Sequence, residues 1–577
     1  MRYPFWLFCV FFPASAAVVG CGQASGGGSS GTGGKLGSAN SGSNSGGASA
    51  IGAAGTNGSS SSSAGAGGAA AGQPGSATTG GQNDGVGGSA GNAASASGGH
   101  AGSAGSANGG RAGSDAAAGM GGSGAARPPV SAAPGAKLVK VNPALRQQKF
   151  EGWGTSLCWW ANNVGGWATD KRNALVDLVA DPVNGLGYNV FRYNIGGGEN
   201  PAHTHMETFR DMPGFEKENG TFDWNADANQ RAVLLRLAER SKDLIVEAFS
   251  NSPPYWMTTS GCASGNTDGS NNLKASSYDA FADYLVQVAK HYKDAFGVTF
   301  RTIEPLNEPN ANWWKANGGQ EGCHFSPANQ QTIIKAVSAA LQASGLTGVQ
   351  VSASDENSMD DAYNNLRAFD AKSMEAMAQI NVHSYAGSKR AELRTLATSK
   401  AKRLWQSESG PLSVTLADDL DAALFMAGRI ITDLKELQPE AWIDWQVADP
   451  GRNWASFAVN NSQQSFTLLK RFYMHAGFSR YIRPGATFIR LDEADMVAAQ
   501  AADGSQVTVV VRNGDSAASK SFTFDLTALA SVGAAVDVHR TSRSENLAAV
   551  TAIPIAGYSF TATVPAGSVS TFVIPTR

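Results

Sequence analysis

Charge is scarce in this sequence and nearly balanced. In 577 residues, 44 Lys and Arg stand against 47 Asp and Glu, a formal net charge of −3. Such a balance gives no basic surface to follow a polyanion, so a nucleic-acid partner is not expected. Long apolar runs are also missing: Tyr3–Phe12 falls well short of the roughly 20 residues that span a bilayer. Residues 22–135 are almost entirely Gly, Ser and Ala and contain no Trp. A tract without apolar side chains cannot offset its conformational entropy and is expected to be disordered, a flexible tether. All thirteen Trp lie outside it, most of them between Trp153 and Trp454.

The first 21 residues read as an export signal: Arg2, the short run Tyr3–Phe12, then small residues from Ala14 to Ala17. Val18-Val19-Gly20-Cys21 resembles a bacterial lipobox, which implies cleavage before Cys21 and a lipid on its thiol. The expected location is therefore the bacterial cell envelope or surface, anchored through that lipid, or secretion. The membrane is expected as a partner only through Cys21. Cys9 leaves with the signal, so Cys158, Cys262 and Cys323 remain. Cys262 and Cys323 both lie in Gly-rich loops after strands and are expected to pair as a disulfide. Cys158, in a strand-like run, is expected to be a buried free thiol.

From Ala136 the composition becomes globular. Strand-like runs end near Gly154, Asn194, Ser250, Leu306, Ser354, Ser384, Gln406 and Gln446, with amphipathic stretches between them. Phe281, Leu285, Val288 and Tyr292 recur at helical spacing, as do Leu420, Leu424, Ala427, Ile431 and Leu434. Apolar runs such as Tyr188-Asn189-Val190-Phe191 alternating with helices indicate a parallel sheet covered by helices. Eight units fit a (β/α)8 TIM barrel over 150–479, in the α/β class. A doubly wound sheet is the alternative, weakened because no Gly-rich phosphate loop follows the first strand. Val507–Val511, Ser521–Leu526 and Val569–Ile574 then read as strands of a β-sandwich domain over 480–577. Residues 136–149, with Leu138-Val139-Lys140-Val141, are expected to add strands to it.

The active end of such a barrel is the C-terminal end of its strands. The fourth strand runs into Asn307-Glu308-Pro309 and the seventh into Ser407-Glu408-Ser409. Strands four and seven face each other across an eight-membered ring, so the two carboxylates can flank one bond. Glycoside cleavage needs that arrangement, with one carboxyl protonated to donate to the leaving oxygen and the other ionised to attack the anomeric carbon. A lone Glu at a strand end is usually a loop salt bridge. Two on these strands, one inside Asn-Glu-Pro, point to catalysis.

These motifs resemble the clan A retaining glycosidases, in which the strand-four Glu is the acid/base and the strand-seven Glu the nucleophile. Phe150-Glu151-Gly152-Trp153-Gly154-Thr155-Ser156 and Ser250-Asn251-Ser252-Pro253-Pro254-Tyr255-Trp256-Met257 resemble glycoside hydrolase family 30 over about 137–577. Trp159-Trp160-Ala161-Asn162, Asn312-Trp313-Trp314 and Gly319–Phe325 are similar to its endo-β-1,6-galactanase branch. The resemblance implies a retaining endo-glycosidase acting on β-1,6-galactan. The alternatives are β-1,6-glucanase, xylanase or glucosylceramidase-type activity, or a non-catalytic carbohydrate-binding lipoprotein. The substrate partner is a polysaccharide, and the chain is expected to act as a monomer.

Further roles follow from position. Asn307 is expected to hydrogen-bond a sugar hydroxyl, and Arg192 to orient Glu408 through a charge-assisted bond. Tyr385 is expected to hydrogen-bond Glu408, while His383 reads equally as a packed strand-end residue. Trp445 and Gln446 end strand eight, where an indole can stack on sugar. Trp160, Trp256, Trp313 and Trp314 are weaker platform candidates. Glu304 faces into the barrel one layer below the site and needs a hydrogen-bond network there. Glu321, Asp355 and Glu356 read as binding or loop salt-bridge residues. His203-Thr204-His205 has the spacing of metal ligands, but it lies in a long loop, and no Asp at strand eight completes a set. No metal and no cofactor are expected.

Overall fold

A computed structural model describes residues 127–411, 416 and 418–577. The export signal, Cys21 and most of the Gly-rich tract lie outside the described residues. Two short strands, β1 (Lys137–Lys140) and β2 (Arg146–Lys149), precede the barrel. Eight parallel strands then close on themselves: β3 (Gly152–Ser156), β4 (Val190–Asn194), β5 (Ile245–Phe249), β6 (Thr302–Glu304), β7 (Gln350–Ser358), β8 (Gln379–Ala386), β9 (Arg403–Glu408) and β10 (Ala441–Asp444). β10 pairs with both β9 and β3 and so seals the ring. Each strand ends within four residues of the position read from the sequence.

The helical periodicities become the inward faces of the outer ring. Phe281, Leu285, Val288 and Tyr292 are buried on the helix Tyr278–Phe296, which stops at Gly297 in the left-handed region, φ 69°. Leu420, Leu424, Ala427 and Ile431 are buried on Asp419–Thr432. Both faces of the strands are covered, so even the polar residues within them, such as Arg192 and Glu247, are buried rather than alternating with apolar ones at a wet face.

The C-terminal part is a two-sheet β-domain. Lys520–Asp525 joins β1 and Ser559–Val564 in a three-stranded sheet, and β2 forms one edge of a seven-stranded sheet. Its own core includes Val139, Val509, Phe524, Phe560 and Phe572. The boundary of the Gly-rich tract needs correction. Residues 127–135, read as its disordered end, lie on this domain. Arg127 donates to the carbonyls of Thr527, Leu529 and Ala530 and stacks 3.7 Å from the Tyr558 ring. A guanidinium with that many partners anchors a segment its neighbours in sequence cannot.

The expected disulfide is also corrected: Cys158, Cys262 and Cys323 are all free and buried. The Cys262 thiol faces His203 Nδ1 at 4.0 Å and Asn317 Oδ1 at 3.9 Å. The Cys323 thiol turns instead to the His324 carbonyl and the backbone of Asn272 and Leu273, and burial pushes its pKa up to about 12. The two thiols serve different loops.

Candidate active site

Glu308 and Glu408 stand at the C-terminal mouth of the barrel, 7% and 4% exposed. An oxygen of each lies within 4.8 Å of the other, and both lie as close to a ring nitrogen of His383. Their backbones approach the site differently. β9 carries Glu408 as its last residue, whereas Glu308 lies just beyond β6 with φ +47°. Asp355 on the next strand has φ +58°, and its carbonyl accepts the Glu308 N–H at 2.9 Å. Non-glycine residues held in this region cost energy and collect at functional sites. Trp314 donates its indole N–H to the Glu308 carbonyl at 3.1 Å, fixing the same turn from outside.

A buried charge cluster supports the pair. Arg192 on β4 contacts Glu408 at 3.2 Å, Glu247 at 3.1 Å and Asp355, and donates to the Ser407 carbonyl at 3.1 Å. Glu247 on β5 is saturated by donors from Thr302, Ser352, Gln379 and Asn381. A guanidinium can sit here because its donors meet carboxylates and a carbonyl on several sides. Tyr385 donates to Glu408 Oε1 at 3.0 Å, and Asn357 donates to Glu308 Oε1 at 2.6 Å.

His383 is the center of the cluster. Its Nδ1 lies 3.1 Å from Glu308 and 3.4 Å from Glu408, and its Nε2 lies 3.2 Å from Asp355. Burial alone would lower its pKa, but Glu408 and Asp355 outweigh that and raise it to about 10. The carboxylates around it favour its charged form. Burial would also raise Asp355, yet Arg192 and His383 pull it down to about 2. Burial holds Glu408 up to about 7 against the pull of His383 and Arg192, with Glu308 adding to the rise. Below them, Glu304 is raised well above the carboxylate range by burial and by Asp355 and Glu247. It accepts only the Leu306 N–H, at 3.3 Å. The network expected around it is built around Glu247 instead.

The other residues read from the sequence fall into three groups. Asn307 is buried beside Glu308, and its Oδ1 has no partner among the described residues. Trp445 packs edge-on against Trp159 at 5.1 Å, in an apolar cluster with Cys158, Met212 and Phe249 at the mouth. Gln446 is tied at both ends, accepting from Trp159 N and donating to Asp449 at 2.6 Å. Trp313 is 52% exposed, and Trp314 is buried against it. Trp256 is half-buried, donates to the Glu216 carbonyl at 3.2 Å and borders a surface pocket whose lining includes neither catalytic Glu. Trp160 as a sugar platform is corrected: it is fully buried in the main core, with its indole N–H on the Ser156 carbonyl at 2.8 Å. Trp159, one residue earlier, reaches the mouth.

Glu321 and Glu356 are structural anchors of the loops. Glu321 accepts from Asn194 at 3.0 Å and Gly197 at 2.6 Å. Glu356 accepts from Gln330, Asn365 and Asn310. Burial raises each to about 7. Sequence reasoning left His383, Asp355, Glu247 and Asn357 without catalytic weight. For Asp355, Asn357 and His383 the one local signal was a place in the C-terminal half of a barrel strand; Glu247, in the middle of β5, had only its charge within an apolar run.

A closed parallel barrel with two adjoining carboxylates at its C-terminal mouth, one bound to a guanidinium and a tyrosine, defines a glycoside hydrolase. The comparison with known proteins makes this specific. The profile of O-Glycosyl hydrolase family 30 matches residues 136–451, and the chain belongs to that family. It is 31% identical over 463 residues to an endo-beta-1,6-galactanase of Hypocrea rufa, covering 75% of this chain and 94% of that one. It is 26% identical over 410 residues to an exo-beta-1,6-galactobiohydrolase of Bifidobacterium longum subsp. longum, covering 52% of this chain and 26% of that one. The catalytic domain of the GH30 xylanase C from Talaromyces cellulolyticus superposes with a TM-score of 0.60 at 20% identity. That match covers 76% of this chain and all of that one, a likeness of fold.

Proposed function

We propose that the protein is a retaining endo-glycosidase that cleaves β-1,6-galactan by double displacement. The observation that carries retention is the approach of Glu308 and Glu408 oxygens to within 4.8 Å. Retaining pairs stand about 5–5.5 Å apart, whereas inverting pairs need roughly 6.5–9.5 Å to admit a water. Glu408 is the nucleophile: Arg192 and Tyr385 both donate to its carboxylate, fixing its orientation and favouring its ionised form. Glu308 gives a proton to the glycosidic oxygen, then takes one from the water that hydrolyses the glycosyl-enzyme. Asn307, beside the acid, binds a sugar hydroxyl.

The galactan assignment rests on the similarity to the Hypocrea rufa enzyme, which spans nearly all of that protein. The test is product analysis on β-1,6-galactan, β-1,6-glucan and xylan, with proton NMR of the first product formed. Galacto-oligosaccharides released with the β configuration support the reading. A first product of inverted configuration removes double displacement, and turnover confined to glucan or xylan removes the galactan assignment.

A further inference from the structure

Three loops meet at the mouth, away from the two catalytic carboxylates. His203 and His205 lie in the loop after β4, Cys262 in the loop after β5, and Asn317 and Gly318 in the loop after β6. One ring nitrogen from each histidine and the Cys262 sulfur lie within 4.8 Å of one another. We propose that His203, His205 and Cys262 form a zinc site that clamps these three loops together. The proposal is independent of which polysaccharide the enzyme cleaves.

The donor set suits the ion. Two imidazoles and a thiolate are ligands zinc accepts, leaving a fourth, tetrahedral position for water. Tetrahedral bonds of about 2.0–2.3 Å place ligand atoms about 3.3–3.8 Å apart. The present spacing therefore closes by about 1 Å, within reach of the exposed His203 side chain.

The second layer is already in place. His205 Nδ1 lies 2.7 Å from the Gly318 carbonyl. A carbonyl only accepts, so Nδ1 carries the hydrogen and Nε2 keeps its lone pair for a metal. This hydrogen bond from the far ring nitrogen is the usual partner of a ligating histidine. Glu199 accepts the backbone N–H groups of His205 and Met206, holding that segment in place. Gly318 N donates to Ser264 Oγ at 3.1 Å, and Gly322 N to the Ala263 carbonyl at 2.9 Å, joining the second and third loops beside Cys262. The His-Thr-His spacing lacked a third ligand in the local sequence because that ligand comes from a different loop.

The experiment uses the full chain, reduced and stripped of metal, titrated with cobalt and then zinc. One equivalent of cobalt is expected to bind, with a thiolate charge-transfer band and the visible bands of a tetrahedral ion, and zinc is expected to displace it. Cys262→Ser is expected to lose the charge-transfer band and Cys323→Ser to keep it. His203→Ala, at an exposed side chain that folding does not need, is expected to weaken zinc by more than about tenfold. Zinc is expected to raise the melting temperature of the parent protein and leave that of the His203→Ala variant unmoved. Absence of the band in the reduced parent overturns the site, as does its persistence in Cys262→Ser, or a Cys262–Cys323 disulfide found in the folded protein.

Discussion

The two ends of the barrel handle charge in opposite ways. At the mouth, the side chains of Arg192, Glu247, Asp355 and His383 are fully withdrawn from water, and those of Glu408 and Glu308 are 5% and 10% exposed. At the floor, Glu151, Arg301, Arg403 and Glu440 pair with 23–37% of each side chain exposed. Arg301 forks onto Glu151 at 2.8 and 2.9 Å, and Trp405 donates to the same carboxylate. Burial removes the hydration of the mouth charges, so each depends on its neighbours for its protonation state. The floor charges keep part of their water, so their ion pairs are better screened, although burial and Glu151 still raise Glu440 to about 7. The difference teaches where the barrel keeps its chemistry: the ionisable groups are dry at one end and partly hydrated at the other.

The contrast is broken most completely at the catalytic pair. Glu408→Gln removes the nucleophile, and kcat should fall by about 10⁴-fold or more on every substrate. Glu308→Gln should cost about 10²–10⁴-fold on polysaccharide and far less on an aryl glycoside whose leaving group needs little protonation. Steady-state kinetics on both substrates checks this, and equal losses on the aryl substrate would exchange or cancel the roles.

Next comes the support. Asp355→Asn leaves Arg192 and His383 short of a counter-charge in a dry site and should cost about 3 kcal/mol in denaturant unfolding. At the floor, Arg301→Gln should cost about 1 kcal/mol or less and leave kcat unchanged. A loss at the floor as large as that at the mouth would erase the distinction.

The pH response separates the ends more finely. Glu408, the proposed nucleophile, is held up to about 7 by burial. Only its ionised carboxylate attacks, so kcat/KM should rise as pH rises through that value, and the rise should persist in Glu308→Gln on an aryl substrate. Stability has its own window. His383 is raised from 6.5 to about 10, so its contribution is complete below 6.5 and lost as pH rises through about 10. Asp355 is lowered from 3.8 to about 2, so its contribution is complete above 3.8 and lost as pH falls through about 2. Melting temperatures across pH should show both edges, and His383→Gln should remove the alkaline one.

The barrel was legible because largely apolar strand runs alternate with amphipathic helices eight times, with polar residues at the strand ends. Glu308 and Glu408 could be found from that position alone. Arg192 and Tyr385 were legible as strand-end partners of Glu408. His383 was not, because its weight comes from three carboxylates on three other segments, and no local pattern records their convergence. Trp159 and Trp160 are adjacent aromatics that differ only in which way the next helix turns them. Glycine-rich loops likewise hide thiol direction, so Cys262 and Cys323 looked like partners when they face different neighbours.

β1 and β2 precede the barrel in the chain, yet their sheet partners lie beyond its last strand. On the ribosome, Lys137–Lys140 emerges before any barrel strand and must wait, unpaired, until Phe522–Asp525 has been synthesised. The barrel can close while both strands hang free, so the β-domain is the last part to assemble. A chain cut between Ser479 and Thr487 would keep Glu308 and Glu408 and leave both strands without partners, a ready template for aggregation.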